Sequence, residues 1–97
     1  MTSTQSSIED ALCSRVRLRI LKLLLELQML NVSDIAAKVG VNYVSASKHL
    51  MALEDADVLS HTMFGKRIRY YRLKESVRAN AVKKLIEAWH SAYNCYS

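Results

Sequence analysis

The chain has 97 residues, of which 51% are hydrophobic and 24% are charged, and its net charge is +5. This length and composition predict one globular domain, residues 1–97, and exclude a disordered chain. No segment has the roughly 20 apolar residues of a membrane span, and the first residues lack the pattern of a secretion signal. We therefore expect a cytoplasmic protein without a membrane partner, and the positive charge favours a polyanionic one.

Two helices are predicted before residue 30. Ser7 and Asp10 have the spacing of a capping box, which favours a short helix near 7–13. Ser14 can cap a second helix that runs to about Gln28. The apolar residues of this second helix cover more than one face, so it is either the central helix of the domain or shared with a second chain.

Two shorter helices follow, and a tight turn connects them. Asn31-Val32-Ser33 provides a turn and an N-cap for the third helix, which ends at Gly40, where a left-handed residue is needed. Asn42 begins the fourth helix only two residues later. Helices joined in this way have the spacing of a helix-turn-helix, at about 33–56. Asp57 can end the fourth helix because aspartate tolerates the left-handed conformation.

From Val58 onward the apolar residues alternate, which predicts two strands at 58–63 and 66–73 around Phe64-Gly65. In the second strand, Ile68 and Tyr70 share one face, and Arg67, Arg69 and Tyr71 share the other. Helical spacing returns after Leu73 and predicts a long last helix, at about 75–96. This order specifies a mainly α domain with a two-stranded β wing, at about 58–73, which is a winged helix-turn-helix.

The fourth helix has the pattern expected of a helix that reads DNA. Stepping 100° per residue puts Ala46, Leu50 and Leu53 on the core side, while the opposite face has hydroxyls, an aromatic and a lysine, with no acid before Glu54. A solvated helix face is the alternative. His49 lies toward the core side, where packing or hydrogen bonding competes with a phosphate contact. The predicted DNA contacts of this helix are Asn42, Tyr43, Val44, Ser45, Ser47, Lys48 and His49.

The hairpin adds a basic surface beside this helix. Residues 58–74 include five lysines and arginines and no acid. Such a run is usually a solvated face, but on a wing it can contact the backbone or enter a minor groove. The predicted contacts of the wing are Lys66, Arg67 and Arg69.

Three segments carry a resemblance to a known family: "SRVRLRILKLL", "NVSDIAAKVGVNYVSASKHLMALEDADVLSH" and "GKRIRYYRL". Over about 14–73 the chain resembles the arsenical-resistance-repressor (ArsR) type of winged helix, including its archaeal relatives. Ser47-Lys48-His49-Leu50, followed by Leu53, Val58 and Leu59, is the most specific part. Asp57 stands where the family usually has glycine. The resemblance implies a homodimer, with helix 42–56 in the major groove and the Gly65 hairpin as the wing.

We expect the homodimer to form through the first and last helices. Trp89, Tyr93 and Tyr96 could form a ligand cage, but their helical spacing favours the core and the dimer seam. The predicted interface residues are Ile8, Leu12, Val82, Leu85, Ile86, Trp89, Tyr93 and Tyr96.

The family's metal sites have no counterpart in this sequence. Residues 31–38, where many members have a thiolate motif, include no cysteine or histidine, and Glu87 and His90 lack a second pair at suitable spacing. We expect no metal, no cofactor and no small-molecule effector that the sequence identifies. Some relatives sense oxidants through a cysteine pair, so Cys13 and Cys95 form a hypothetical redox pair. The alternative is that both are small buried hydrophobic residues.

No catalytic set of side chains is present, so we expect no enzyme. The sequence predicts a sequence-specific regulator of transcription, a repressor in the simplest case, that reads an inverted repeat in double-stranded DNA. Three alternatives remain open: a low-specificity architectural or chromatin-like protein, a protein-interaction module, and an effector-responsive sensor that depends on the cysteine pair.

Overall fold

Helices dominate the computed structural model, which describes residues 8–12 and 14–95 except for the side chains of Asp10, Ala11 and residues 93–95. A three-stranded sheet completes the domain. The elements in chain order are α1 (Ile8–Leu12), α2 (Arg15–Leu27), β1 (Met29–Asn31), α3 (Val32–Val39), α4 (Tyr43–Asp55), β2 (Leu59–Phe64), β3 (Ile68–Leu73) and α5 (Val77–Cys95).

Short polar side chains set where α2, α3 and α4 begin. The Ser14 hydroxyl accepts a hydrogen bond from the Arg17 amide at 3.3 Å, and Asn31 Oδ1 accepts one from the Asp34 amide at 2.8 Å. Asn42 Oδ1 accepts from the Ser45 amide at 2.8 Å. Each bond satisfies an amide that the first helical turn leaves without a partner. The predicted caps at Ser14 and Asn42 are confirmed, whereas the predicted capping box of Ser7 and Asp10 lies outside the described residues and side chains.

Left-handed residues end the helix-turn-helix elements and form the hairpin turn. Gly40 ends α3 with φ +80°, and Asp57 has φ +68° just after α4, as predicted. Gly65 has φ +70° in the turn between β2 and β3. Only three residues, 40–42, separate α3 from α4, so the turn fixes one helix closely against the other.

The sheet has one strand more than the sequence predicts. β2 and β3 form the expected antiparallel hairpin, and β1 pairs with the other edge of β3, which gives the order β1-β3-β2. Leu30 and His61 both lie opposite Tyr71, which makes Tyr71 the centre of the sheet. The two-stranded wing is confirmed, whereas β1 was not predicted because a three-residue strand is too short to show an alternating pattern.

The core lies between the helices and the inner face of the sheet. Ile20, Leu21 and Leu24 of α2 are buried, and so is the predicted inner face of α4: Ala46, Leu50 and Leu53 are all 0% exposed. Tyr71 is also fully buried. No helix among the described residues is long and apolar enough to cross a membrane.

The long helix α5 is anchored to the end of α4. Ser76 Oγ accepts a hydrogen bond from the Ala79 amide at 3.1 Å and donates one to the Asp57 carbonyl at 2.6 Å. Arg78 donates to the Ala56 carbonyl at 3.2 Å. These bonds attach the first turn of α5 to the segment that follows α4, so the two helices keep a defined relation.

Candidate nucleic-acid interface

The first half of α4 presents a mixed polar and apolar surface to solvent. Tyr43 is 49% exposed and Val44 62% exposed, and Lys48 is exposed one turn after Val44. Ser45 and Ser47 are half-buried beside them. Because the helix has no acidic residue in its first turn, its positive dipole end is not neutralised by a side chain. Such a surface suits a polyanion that offers base edges in a groove.

Asn42 serves the helix through its side-chain oxygen, which accepts the Ser45 amide hydrogen. The cap fixes the first turn of α4 and thereby the directions of Tyr43 and Val44. The main contribution of Asn42 to the candidate interface is therefore to fix the orientation of Tyr43 and Val44, which follow it.

The tip of the hairpin is basic and exposed. Lys66 and Arg67 lie in the three-residue turn that begins with Gly65, and both side chains are exposed. Phe64 and Ile68 flank the turn and are each 49% exposed. The tip thus combines two cations with apolar side chains, a composition that suits contact with a phosphate backbone or a minor groove.

Arg69 has a different position from these two cations. Its Nη2 donates to Ser47 Oγ on α4 at 2.9 Å, and its Nη1 donates to the Tyr71 hydroxyl at 3.1 Å. The sequence placed Arg69 on the same face as Tyr71 but also counted it with Lys66 and Arg67 as an outward contact. The structure separates Arg69 from them, because its side chain extends from β3 to Ser47 on α4.

A polar chain continues from Arg69 to the far end of α4. The Tyr71 hydroxyl donates to Glu54 Oε1 at 3.4 Å, and His61 Nδ1 donates to Glu54 Oε2 at 2.7 Å. Burial raises the pKa of the Tyr71 phenol; Arg69 acts against this rise, and Glu54 adds to it. The phenol therefore keeps its proton at neutral pH, accepts from Arg69 and donates to Glu54. Sequence reasoning did not identify Glu54, His61 and Tyr71 as parts of one network.

His49 is held from the other side of α4. Arg17 Nε on α2 donates to His49 Nδ1 at 3.1 Å, and the histidine is half-buried. Burial lowers the pKa of His49, and the Arg17 charge lowers it further. Since Nδ1 accepts, the neutral ring carries its proton on Nε2. This geometry supports the hydrogen-bonding role over the phosphate contact.

The residues predicted for the dimer interface fall into two groups. Ile8 on α1 is 71% exposed, and Leu85 and Trp89 on α5 are 52% and 75% exposed, so these three side chains do not belong to the core of one chain. Val82 is buried, and Leu12 and Ile86 pack against the core. The side chain of Tyr93 and the whole of Tyr96 lie outside the described part of the chain.

The candidate redox pair lies largely outside the part of the chain that the structure describes. Cys13 is outside the described residues, and only the backbone of Cys95, the last residue of α5, is described, so the hypothesis of a disulfide stays a prediction. Among the described residues, no three histidine, cysteine, aspartate or glutamate side chains come together in a way that could hold a metal ion.

The sequence profile described as "Bacterial regulatory protein, arsR family" matches residues 14–61, which include α2, α3, α4 and the start of the hairpin. The chain belongs to the arsR family. As an arsR-family protein it is a DNA-binding regulator of transcription and not an enzyme. No curated protein gives a significant match to its sequence.

Solved structures similar to this arsR-family chain cover most of its length. A homodimeric winged helix-turn-helix DNA-binding domain from Mycobacterium bovis is 26% identical, with a TM-score of 0.68; the match covers 97% of this chain and 91% of that one. NolR from Sinorhizobium fredii is 27% identical, with a TM-score of 0.73 and coverage of 89% and 80%. The AntR antimony-specific transcriptional repressor is 26% identical, with a TM-score of 0.69 and coverage of 87% and 75%. The winged helix-turn-helix prediction is thereby confirmed, while the archaeal likeness stays a prediction.

Proposed function

We propose that this arsR-family chain is a sequence-specific repressor that acts in the cytoplasm as a homodimer on an inverted repeat in double-stranded DNA. One observation carries the proposal: the exposed first half of α4 has no acidic residue and lies in the same domain as an exposed, basic hairpin tip. Two of the three acids at or just after the end of α4 are paired with other residues of the domain: Glu54 with His61 and Asp57 with Lys74.

In this proposal α4 is the recognition helix and lies in the major groove. Tyr43, Ser45 and Lys48 contact base edges or the groove wall, and Val44 meets a thymine methyl group. A lysine in a major groove donates to the O6 and N7 acceptors of guanine. Lys48 therefore contributes most to the preference of the protein for one DNA sequence over another. Ser47 and His49 flank Lys48 on α4 and are held by arginines.

The wing tip supplies contacts that do not depend on sequence. Lys66 and Arg67 bind phosphate oxygens or enter the adjacent minor groove, and these contacts fix the register of the domain on the duplex. Neutralising phosphates releases counterions, so affinity falls steeply as salt concentration rises.

The exposed apolar face of α5 supports the homodimer. Leu85 and Trp89 are large apolar residues one turn apart, and a second copy of the helix would cover them. The similar domain from Mycobacterium bovis is homodimeric, and AntR is a repressor. A two-fold dimer places two recognition helices in successive major grooves, about 34 Å apart, which matches an inverted repeat.

The test begins with a selection of duplexes from a random-sequence library by the purified protein. The enriched duplex and a shuffled version of it are then compared in equilibrium binding over a series of salt concentrations. Lys48→Ala is compared with Lys22→Ala, since Lys22 is an exposed lysine on α2, outside the helix-turn-helix and the wing. We expect Lys48→Ala to lower affinity for the enriched duplex by roughly tenfold or more and to leave the shuffled duplex nearly unaffected.

Other outcomes point to the other classes of protein. Equal and salt-sensitive binding to both duplexes would contradict the proposal and favour an architectural protein. A folded protein that binds no duplex at low salt would favour a protein-interaction module. An equal loss of affinity for the enriched duplex in Lys22→Ala and Lys48→Ala would show that α4 is not the recognition helix.

A further inference from the structure

The position of Arg69 sets it apart from the other cations of the hairpin. Lys66, Arg67 and Arg72 are exposed, whereas Arg69 is half-buried between β3 and α4. Its guanidinium group bonds two acceptors from different elements, and its central carbon lies 5.7 Å from the centre of the Tyr71 ring. Arg69 therefore connects the wing with the helix beside it.

The hydrogen bonds between β3 and α4 occur at two separate points. Ser47 and Glu54 are seven residues apart, which is about 10.5 Å along a helix axis. Arg69 and Tyr71 are two residues apart on one face of β3, which is about 6.6 Å along a strand. Arg69 bonds Ser47, and Tyr71 bonds Glu54. Two contacts with this separation restrain both the distance and the angle between α4 and β3.

The chemistry of this connection requires a planar group with two donors. The guanidinium of Arg69 directs one nitrogen to a hydroxyl on α4 and the other to the phenol on its own strand. An ammonium group is a compact point charge and does not reproduce this fork. The Tyr71 hydroxyl completes the connection because it accepts from Arg69 and donates to Glu54.

We propose that Arg69 is a positioning residue: it orients the recognition helix relative to the wing through Ser47 and Tyr71, and it does not bind phosphate. The inference rests on the proposed function, since it concerns how α4 is aimed into the groove. Base-edge contacts depend on the placement of the helix, whereas phosphate contacts tolerate small shifts. Loss of the connection therefore lowers discrimination between sequences and leaves general affinity for duplex DNA nearly unchanged.

The test uses three variants in the full chain and one matched pair of controls. Arg69→Met removes the charge and the hydrogen bonds, Arg69→Lys keeps the charge, and Tyr71→Phe removes only a hydroxyl. Arg67→Met and Arg67→Lys are the controls, since Arg67 lies two residues away in the exposed turn. Dissociation constants are measured for the duplex that the wild-type protein enriches from a random library and for its shuffled version, over a series of salt concentrations.

We expect Arg69→Lys and Arg69→Met to reduce the ratio of the two affinities by a similar factor, about tenfold, if the free energy of one charge-assisted hydrogen bond serves to hold α4 in its binding position. Binding to the shuffled duplex and its salt dependence should stay near wild type in Arg69→Lys. Tyr71→Phe should lower the ratio in the same direction. Arg67→Met should weaken both duplexes equally and reduce the salt slope by about one, and Arg67→Lys should resemble wild type.

Different results separate the failure of this inference from the failure of the proposed function. Wild-type discrimination in Arg69→Lys, together with an equal weakening of both duplexes in Arg69→Met, would show that Arg69 is a phosphate contact. If Arg69→Lys does not fold by circular dichroism, Tyr71→Phe decides, and an unchanged ratio in that variant overturns the inference. If the wild-type protein enriches no sequence, the proposed function is wrong, and the inference about Arg69 is then wrong as well.

Discussion

Three consecutive residues of α4, the proposed recognition helix, have different roles in the structure: Ser47, Lys48 and His49. Ser47 accepts a hydrogen bond from Arg69 on β3, and His49 accepts one from Arg17 on α2. Successive residues of a helix are 100° apart, so Ser47 and His49 lie on opposite flanks and Lys48 faces solvent between them. An arginine from a different element thus supports each flank of the helix beside its exposed lysine.

The contact between Arg17 and His49 predicts a dependence of stability on pH. The pKa of His49 is lowered from its usual value of 6.5, and the neutral ring is the form that accepts from Arg17. A folded-state pKa below the unfolded one means that the stabilisation is complete above 6.5 and is lost as pH falls through the lowered value. Wild type should therefore lose more free energy of unfolding than His49→Gln between about pH 7 and pH 5.

Denaturant unfolding at one fixed protein concentration measures this difference. Glutamine can still accept from Arg17 but does not titrate, and the two proteins are otherwise identical in sequence. Parallel pH profiles in wild type and His49→Gln would contradict the assignment of the titration to His49.

Sequence reasoning identified the exposed residues of α4 but not the partners of Ser47 and His49. Helix periodicity separates the inner face from the outer one, so Ala46, Leu50 and Lys48 could be placed without a structure. Arg17 and Arg69 are 32 and 22 residues away from their partners, and no local pattern shows such contacts. For this reason Arg69 was counted as an outward cation.

At the scale of elements, the boundaries that depend on local chemistry were predictable. Ser14 and Asn42 each bond an amide three residues later, and Gly40 and Asp57 have the positive φ that ends a helix. The strand β1 was missed because its existence depends on pairing with β3, whose partner residues are 39 to 43 positions away in the chain. Local signals thus predict where helices begin and end, whereas the formation of the short strand β1 depends on long-range pairing.

The turn between α3 and α4 predicts the effect of a substitution at Gly40. A Cβ atom at Gly40 would meet no atom within 4 Å, so Gly40→Ala has only the backbone cost of φ +80°. We expect a loss of about 1 kcal/mol in the free energy of unfolding. Asparagine tolerates this conformation better, so Gly40→Asn should lose less in the same denaturant titration. Equal losses in both variants would show that the backbone conformation is not the cause.

At the scale of the whole molecule, the domain has a mixed polar surface on α4, where we propose that DNA binds, and a separate apolar surface. The apolar surface lies on α5, whose first turn is attached to the end of α4 through Ser76 and Arg78. A dimer formed through α5 would therefore set the relation between two copies of α4. In the proposed function, this connection would link oligomeric state to DNA recognition.

Leu85→Glu tests this link. A carboxylate in place of a 52% exposed leucine should disturb one folded chain little but should prevent two α5 helices from packing. We expect a monomer in analytical ultracentrifugation with a wild-type helical signal, and a loss of at least roughly a hundredfold in affinity for the enriched duplex because only one half-site is bound. Glu87→Ala on the opposite side of α5 is the control and should remain dimeric. A dimeric Leu85→Glu protein would contradict the assigned interface.

The central claim is that a dimer reads two half-sites with two copies of α4, and hydroxyl-radical footprinting of the enriched duplex tests it most directly. We expect two protected stretches related by two-fold symmetry, with centres about one helical turn, or roughly 10 base pairs, apart. The enriched sequence should be an inverted repeat with the same spacing. A single unsymmetrical protected stretch, or uniform protection along the duplex, would contradict the account.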